Sequence, residues 1–337
     1  MSIISREFRL AVVPEGLPRP EHFELAEVVV PDPAAGQILV RNRFFQISVA
    51  LRTLIAGGVP GAPFPPLHPG DPLIGLAVGE VVTAPAGTGF APGDLVSHWL
   101  GWREYAVVPA AECTPLGADL PDPVAHLGYG WTAYAALTRG AEVRSGDTVL
   151  VTGGAGGVGS LAGQLARLLG ARRVIGTTRS AAKADRLVDE LGYDAAVTGG
   201  AKPFADLLAE AAPDGIDAVV DTVGGEQLRA AVTLARPQAR IVLVGTLSAQ
   251  LAPDHPGTTA PVELDTFQLI VGQITLRGLV GRADPRARQE WLARFGGWLR
   301  SGELTFPHIR VPGIENAAQA LCDTIGGRHL GAVVAEI

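Results

Sequence analysis

Lysine is almost missing from this 337-residue chain: of 27 basic residues only Lys183 and Lys202 are lysines, and the rest are arginines. With a net charge of −7, the chain offers no clustered cations of the kind that hold a nucleic-acid backbone, and such a partner is excluded. Cysteine occurs twice, at Cys113 and Cys322. A structural zinc lobe with four thiolates is therefore impossible, and in a reducing compartment both thiols are expected to be free. His68 and His98 have no neighbour at ligand spacing, so no metal is expected. No apolar run approaches the roughly 18 residues of a membrane span. The opening "MSIISREFRLAVVPEG" lacks a basic-then-apolar signal pattern, so a cytoplasmic protein is expected. No short internal repeat is found.

Glycine and proline are abundant, with 43 and 26 residues. Up to about Pro123 they punctuate short β-like runs such as "ELAEVVVPDP", "QILVRNRFF" and "REYAVVPA". That texture predicts an all-β, barrel-like unit with irregular loops. Beyond it, apolar β-branched runs alternate with helical patterns: "TVLVTGG", "RRVIGTT", "IDAVVDTVGG" and "ARIVLVGT" are each followed by a helix. Runs of this kind are parallel strands covered on both faces, and their alternation with helices predicts a doubly wound α/β sheet. The length is more than one core usually serves, so two domains are expected. The final strand "GAVVAEI" is read as a return to the first unit.

The stretch "VLVTGGAGGVGSLAGQLARLLGARRVIGTTRS" (149–180) reads strand, glycine turn, helix, strand. Gly154, Gly156 and Gly159 fit G-x-G-x-x-G, with Gly157 and Val158 inside the turn. The pattern supplies a tight turn, close backbone approach to a pyrophosphate, and close helix–strand packing. The helix would aim its unpaired N–H groups at the phosphates. What is missing is the carboxylate that usually grips the ribose about twenty residues on. The second strand ends instead in Thr177, Thr178, Arg179 and Ser180, with Lys183 just beyond. Two cations and three hydroxyls there predict a 2′-phosphate, and so NADP(H) rather than NAD(H).

Several stretches resemble the medium-chain dehydrogenase/reductase superfamily, over nearly the full length. They are "GDPLIGLAVGEVV" (70–82), "LGYGWTAYAAL" (127–137), the glycine turn, "VDELGYDAAV" (188–197), "DTVGG" (221–225) and "IENAAQAL" (314–321). The zinc-independent branch of prostaglandin, leukotriene and alkenal double-bond reductases is the nearest in pattern. The resemblance implies a Rossmann domain at 124–308 between two segments, 1–123 and 309–337, of a GroES-like β-barrel catalytic domain. It implies hydride transfer from NADPH to the β-carbon of an enone, enal or enoyl group, then protonation at the α-carbon. It also implies a homodimer joined through Rossmann edge strands, here "QITLRGLVG" (273–281).

Residue by residue, the resemblance places Thr132 near the nicotinamide and its ribose, and Ser48 near the nicotinamide as a catalytic candidate. Val223, Gly245, Thr246 and Leu247 are further cofactor positions, and Tyr193 is either another, against the adenosine, or a core residue packed on the second helix. Gln250 stands where the family's "GAISQYN"-like segment carries a tyrosine, and is the candidate hydrogen-bond donor to an enolate. Tyr129, Trp131 and Trp99 are candidate walls of a substrate cleft. The family's "SVDPYMR" becomes "SVALRTL" (48–54) and its "NLGK" becomes "HLGA" (329–332). These departures leave two other readings open: an NADPH quinone reductase, or an NADPH-binding protein without a redox role.

Overall fold

A computed structural model describes residues 2–62, 64–252, 257–280 and 285–337. The proline-punctuated runs at the start form seven strands: β1 (Ile3–Leu10), β2 (Phe23–Val30), β3 (Gln37–Ile47), β4 (Ala77–Thr83), β5 (Leu95–His98), β6 (Tyr105–Pro109) and β7 (Thr114–Pro115). A short helix, α1 (Leu51–Ile55), leaves the end of β3. β1 and β2 pair antiparallel as a separate ribbon. The remaining strands build a larger sheet around β3, which pairs with both β4 and β6. Phe8, Phe45 and Trp102 fill the core between ribbon and sheet, where Trp102 meets Phe45 at 5.1 Å between ring centroids.

The second half alternates as its apolar runs predict. After α2 (Gly130–Ala135) come β8 (Thr148–Val151), α3 (Gly159–Leu168), β9 (Arg173–Thr178), α4 (Ala181–Leu191) and β10 (Ala195–Thr198). They are followed by α5 (Phe204–Ala211), β11 (Ile216–Asp221), α6 (Gly225–Thr233), β12 (Ala235–Leu243), α7 (Leu247–Gln250), α8 (Thr266–Gly272), β13 (Thr275–Gly278) and α9 (Pro285–Ser301). The six strands are parallel and lie in the order β10-β9-β8-β11-β12-β13. This is the Rossmann order, with its switch point between β8 and β11, where a crevice opens at the carboxyl ends of the strands. Val149, Leu150 and Val151 are fully buried because helices cover both faces.

The chain then returns. β14 (His308–Pro312) runs parallel to β15 (Ala332–Glu336), and β15 pairs antiparallel with β3, Val333 facing Ile47. Between them α10 (Ala317–Ile325) packs its apolar face onto the first core. The last strands thus complete the sheet begun by the first hundred residues. This brings the segment before β15 beside the Rossmann sheet, where the amide of Gly331 donates to the carbonyl of Ala155 in the glycine turn.

Candidate active site

The glycine turn sits where β8 hands over to α3. Gly154 and Gly159 are buried and Gly156 is exposed. A β-carbon on Gly159 would lie 2.3 Å from the carbonyl oxygen of Gly153, so helix and turn touch through bare backbone. Among the described residues, the N–H groups of Gly157 and Val158 have no hydrogen-bond partner. They stand at the N-terminus of a ten-residue helix, the arrangement that receives a phosphate.

Two polar ties fasten the turn, one to the end of β11 and the loop after it, the other to β9 and α6. The Thr152 hydroxyl donates to Asp221 at 2.6 Å, and the same carboxylate accepts the amides of Val223 and Gly224. Burial pushes the Asp221 carboxyl upward, and these bonds work against that shift. The amide of Gly153 donates to the Thr177 hydroxyl at 2.9 Å, which in turn donates to Gln227 at 2.6 Å. Thr177 is fully buried. Its expected role as a phosphate donor is corrected accordingly: its hydroxyl is committed to holding the turn. Thr178, half-buried, accepts from the amide of Ser180, and Ser180 caps α4.

Tyr193 takes the core-packing place, one of its two readings. Its ring lies against Gly163 and Gly176, each of which would strike it if it carried a β-carbon, with Gly154 close to its hydroxyl, and that hydroxyl donates to the Gly159 carbonyl at 2.6 Å. A buried ring with every face occupied supports the turn from behind and has no surface left for adenosine.

Arg179 and Lys183 meet at Gly327. Lys183 Nζ donates to the carbonyls of Gly327, at 2.5 Å, and His329. The Arg179 guanidinium lies against Gly327, within 2.6 Å of where a β-carbon would be. Neither cation has a carboxylate ion-pair partner among the described residues. Burial first, then Arg179 and Arg186, lower the Lys183 pKa. Two cations held together without a counter-ion fit an anionic group, and the exposed Gly156 leaves the turn open to a pyrophosphate.

Across the crevice, the Tyr129 hydroxyl donates to Ser48 Oγ at 2.7 Å. The ring lies on Gly157, whose β-carbon would be 2.3 Å from it. Gln46 Nε2 donates to the Leu127 carbonyl at 2.6 Å, so the end of β3 and the residue just after it hold this segment at two points. Gln250, at the end of α7, donates through Nε2 to Thr53 Oγ1 at 2.9 Å, joining the Rossmann side to α1. α7 itself hangs on the loop before α6: the amides of Leu247 and Ser248 donate to the carbonyls of Thr222 and Val223. Gly245 packs on Thr222, and Thr246 is exposed. Thr132 lies half-buried in the first turn of α2.

The two tryptophans part company. Trp99 is exposed and pairs with Phe64 at 4.6 Å between centroids. Trp131 packs beside Tyr134 and under the Arg139 guanidinium, 5.5 Å from its ring centroid. The anchoring residues Thr152, Asp221, Gln227 and Thr53 were not singled out from sequence. Only Asp221 left a signal, as an acid ending an apolar strand. Among the described residues, no group of three or more His, Cys, Asp or Glu side chains is placed to hold a metal. No described helix is long and apolar enough to cross a membrane.

Comparison with known proteins finds relatives over nearly the whole chain. A family model described as a zinc-binding dehydrogenase matches residues 157–295, and one described as the N-terminal domain of oxidoreductase matches residues 6–116. The chain is 30% identical over 340 residues to the NADPH-dependent curcumin reductase of Escherichia coli (strain K12), covering 99% of this chain and 97% of that one. It is 29% identical to prostaglandin reductase 1 of Rattus norvegicus, covering 95% of each. Among solved structures, CurA from Vibrio vulnificus in complex with NADPH superposes with a TM-score of 0.88 at 30% identity, covering 98% of both chains.

Proposed function

Because the chain belongs to the zinc-independent branch of the medium-chain dehydrogenase/reductase superfamily, we propose that this oxidoreductase reduces the carbon–carbon double bond of an α,β-unsaturated carbonyl compound without a metal. Its cofactor is NADP(H). The carrying observation is the hydroxyl pair Ser48–Tyr129 beside the glycine turn, with the uncompensated cations Arg179 and Lys183 at the other end of the same crevice.

The backbone of Gly156, Gly157, Val158 and Gly159 would receive the pyrophosphate, and Arg179 and Lys183 the 2′-phosphate. Bound there, NADPH supplies the hydride. The protein's own work is to hold the alkene in line, polarise its carbonyl and admit one proton. Residues 1–123 and 309–337 form the half that carries Ser48 and α1, and 124–308 the half that carries the turn. Gln250 and Thr53 bridge the two.

The test is a panel of enones and enals with NADPH after exhaustive dialysis against a strong chelator. Turnover is expected to survive dialysis, with label from the nicotinamide found at the product's β-carbon. Stoichiometric zinc lost together with activity, or turnover of quinones alone, would overturn the reading.

We further propose a homodimer through β13. This strand pairs with β12 on one side, and no described strand covers the other. Phe267, Ile270, Val271 and Val280 around it are between 66% and 73% exposed, an apolar patch next to an open edge. Gly281, the last residue of the expected edge segment, lies outside the described residues. Sedimentation should give twice the chain mass for the parent and one chain mass for Ile270→Glu; a monomeric parent would refute this.

A further inference from the structure

We propose that Tyr129 is the acid that delivers the α-proton, with Ser48 as the hydroxyl that resupplies it. The assignment rests on the alkene-reductase reading above. The position where relatives carry a tyrosine holds Gln250, and its amide is committed to Thr53 across the crevice. A carboxamide is in any case a hydrogen-bond donor without an acidic proton. The phenol of this chain stands elsewhere. Tyr129 is pressed onto Gly157, so its hydroxyl is carried beside the turn, and the Gln46–Leu127 bond fixes the backbone two residues before it. Ser48 and Tyr129 are each half-buried as residues, so the pair is not sealed within the core.

Ser48 is the only polar side chain in contact with the phenol, and no charged group acts on it among the described residues. Burial raises its pKa, which keeps the proton on the oxygen at neutral pH. The phenol donates to Ser48 here, but both hydroxyls rotate, so the direction of the pair can reverse.

The step balances. Arrival of hydride at the β-carbon places the alkene's π pair on the enolate. That pair forms the new α-carbon–hydrogen bond as the Tyr129 O–H bond breaks. The phenolate then takes the Ser48 proton, and Ser48 takes one from water. The net uptake is one hydride and one solvent proton.

Tyr129→Phe keeps the ring on Gly157 and removes only the acid. It should bind NADPH with the parent's affinity, read by fluorescence, and melt at the parent's temperature. Its kcat should fall about a hundredfold, within the range a positioned acid contributes. In deuterated water the parent should label one face of a substituted α-carbon, and Tyr129→Phe should label both. Ser48→Ala should lose roughly tenfold in kcat and keep the single face, since only resupply is slowed. Independently of turnover, the ultraviolet difference spectrum between parent and Tyr129→Phe should place the Tyr129 ionisation at the alkaline limb of the parent's kcat profile. A Tyr129→Phe protein with the parent's kcat and facial selectivity overturns the assignment alone. A parent that reduces no enone overturns the function reading, and the assignment with it.

Discussion

Replacing Arg179 and Lys183 together by alanine is expected to erase a preference for NADPH over NADH of roughly a hundredfold or more, by lowering kcat/KM for NADPH while leaving NADH nearly unchanged. Each charge-assisted bond to a phosphate is worth roughly 1.5–3 kcal/mol, and about 1.4 kcal/mol is tenfold, so each single substitution should cost at least about tenfold. The two cations are already assembled: Lys183 is held by the carbonyls of Gly327 and His329, and Arg179 lies against Gly327. An anion entering there replaces carbonyl dipoles with a full charge and relieves the repulsion between the pair. Burial and that repulsion lower the Lys183 pKa. Lysine is charged below its pKa, so NADPH affinity should decline as pH rises through the lowered value, and NADH affinity should not follow it. Equal use of both cofactors by the parent, or single variants that leave the ratio unchanged, would refute this.

The parts of the site written in consecutive residues were legible in the sequence. Strand, glycine turn, helix and second strand succeed one another within 149–180, and each is dictated by local pattern. The absent carboxylate and the basic pair belong to the same stretch. What failed was the choice among neighbours. Thr177 and Thr178 look alike in sequence, and strand alternation does not separate them, because β9 is buried on both faces from Val174 to Thr177. Only the packing shows that Thr177 points to Gly153 and Gln227.

Tyr193 stayed open between cofactor contact and core packing for a related reason. The slot that holds its ring is made by glycines in the turn, in α3 and in β9, three segments whose convergence no local pattern records. The contacts that define the crevice are more distant still: Ser48 and Tyr129 are 81 residues apart in sequence, and Thr53 and Gln250 are 197 apart. A reading from residues could propose each member but not the pairing. Resemblance drew attention to Gln250, while the chain's own geometry draws it to Tyr129.

Gly156→Ala and Gly159→Ala should separate the two duties that the turn combines. At Gly156 a β-carbon would meet only the Gly153 carbonyl, at 3.3 Å, and the position is exposed. The fold should tolerate it, with an unchanged melting temperature. The methyl group would nevertheless occupy the ground that a pyrophosphate must approach. Crowding of that kind costs about 1–3 kcal/mol, so NADPH binding should weaken by roughly ten- to hundredfold. At Gly159 the β-carbon would lie 2.3 Å from the Gly153 oxygen and 2.6 and 2.8 Å from Gly154 backbone carbons. None of these is the mobile end of a side chain, so α3 must retreat from the turn. Retreat breaks the Tyr193–Gly159 bond and opens the packing of α3 on β8 and β9. Gly159→Ala should therefore lose stability by at least about 1–3 kcal/mol and lose NADPH binding as well. The measurements are thermal unfolding and NADPH fluorescence titration on both variants. A Gly156→Ala protein that binds NADPH like the parent would remove the phosphate from the turn. A Gly159→Ala protein with the parent's melting temperature would show that α3 and the turn are not in the contact described.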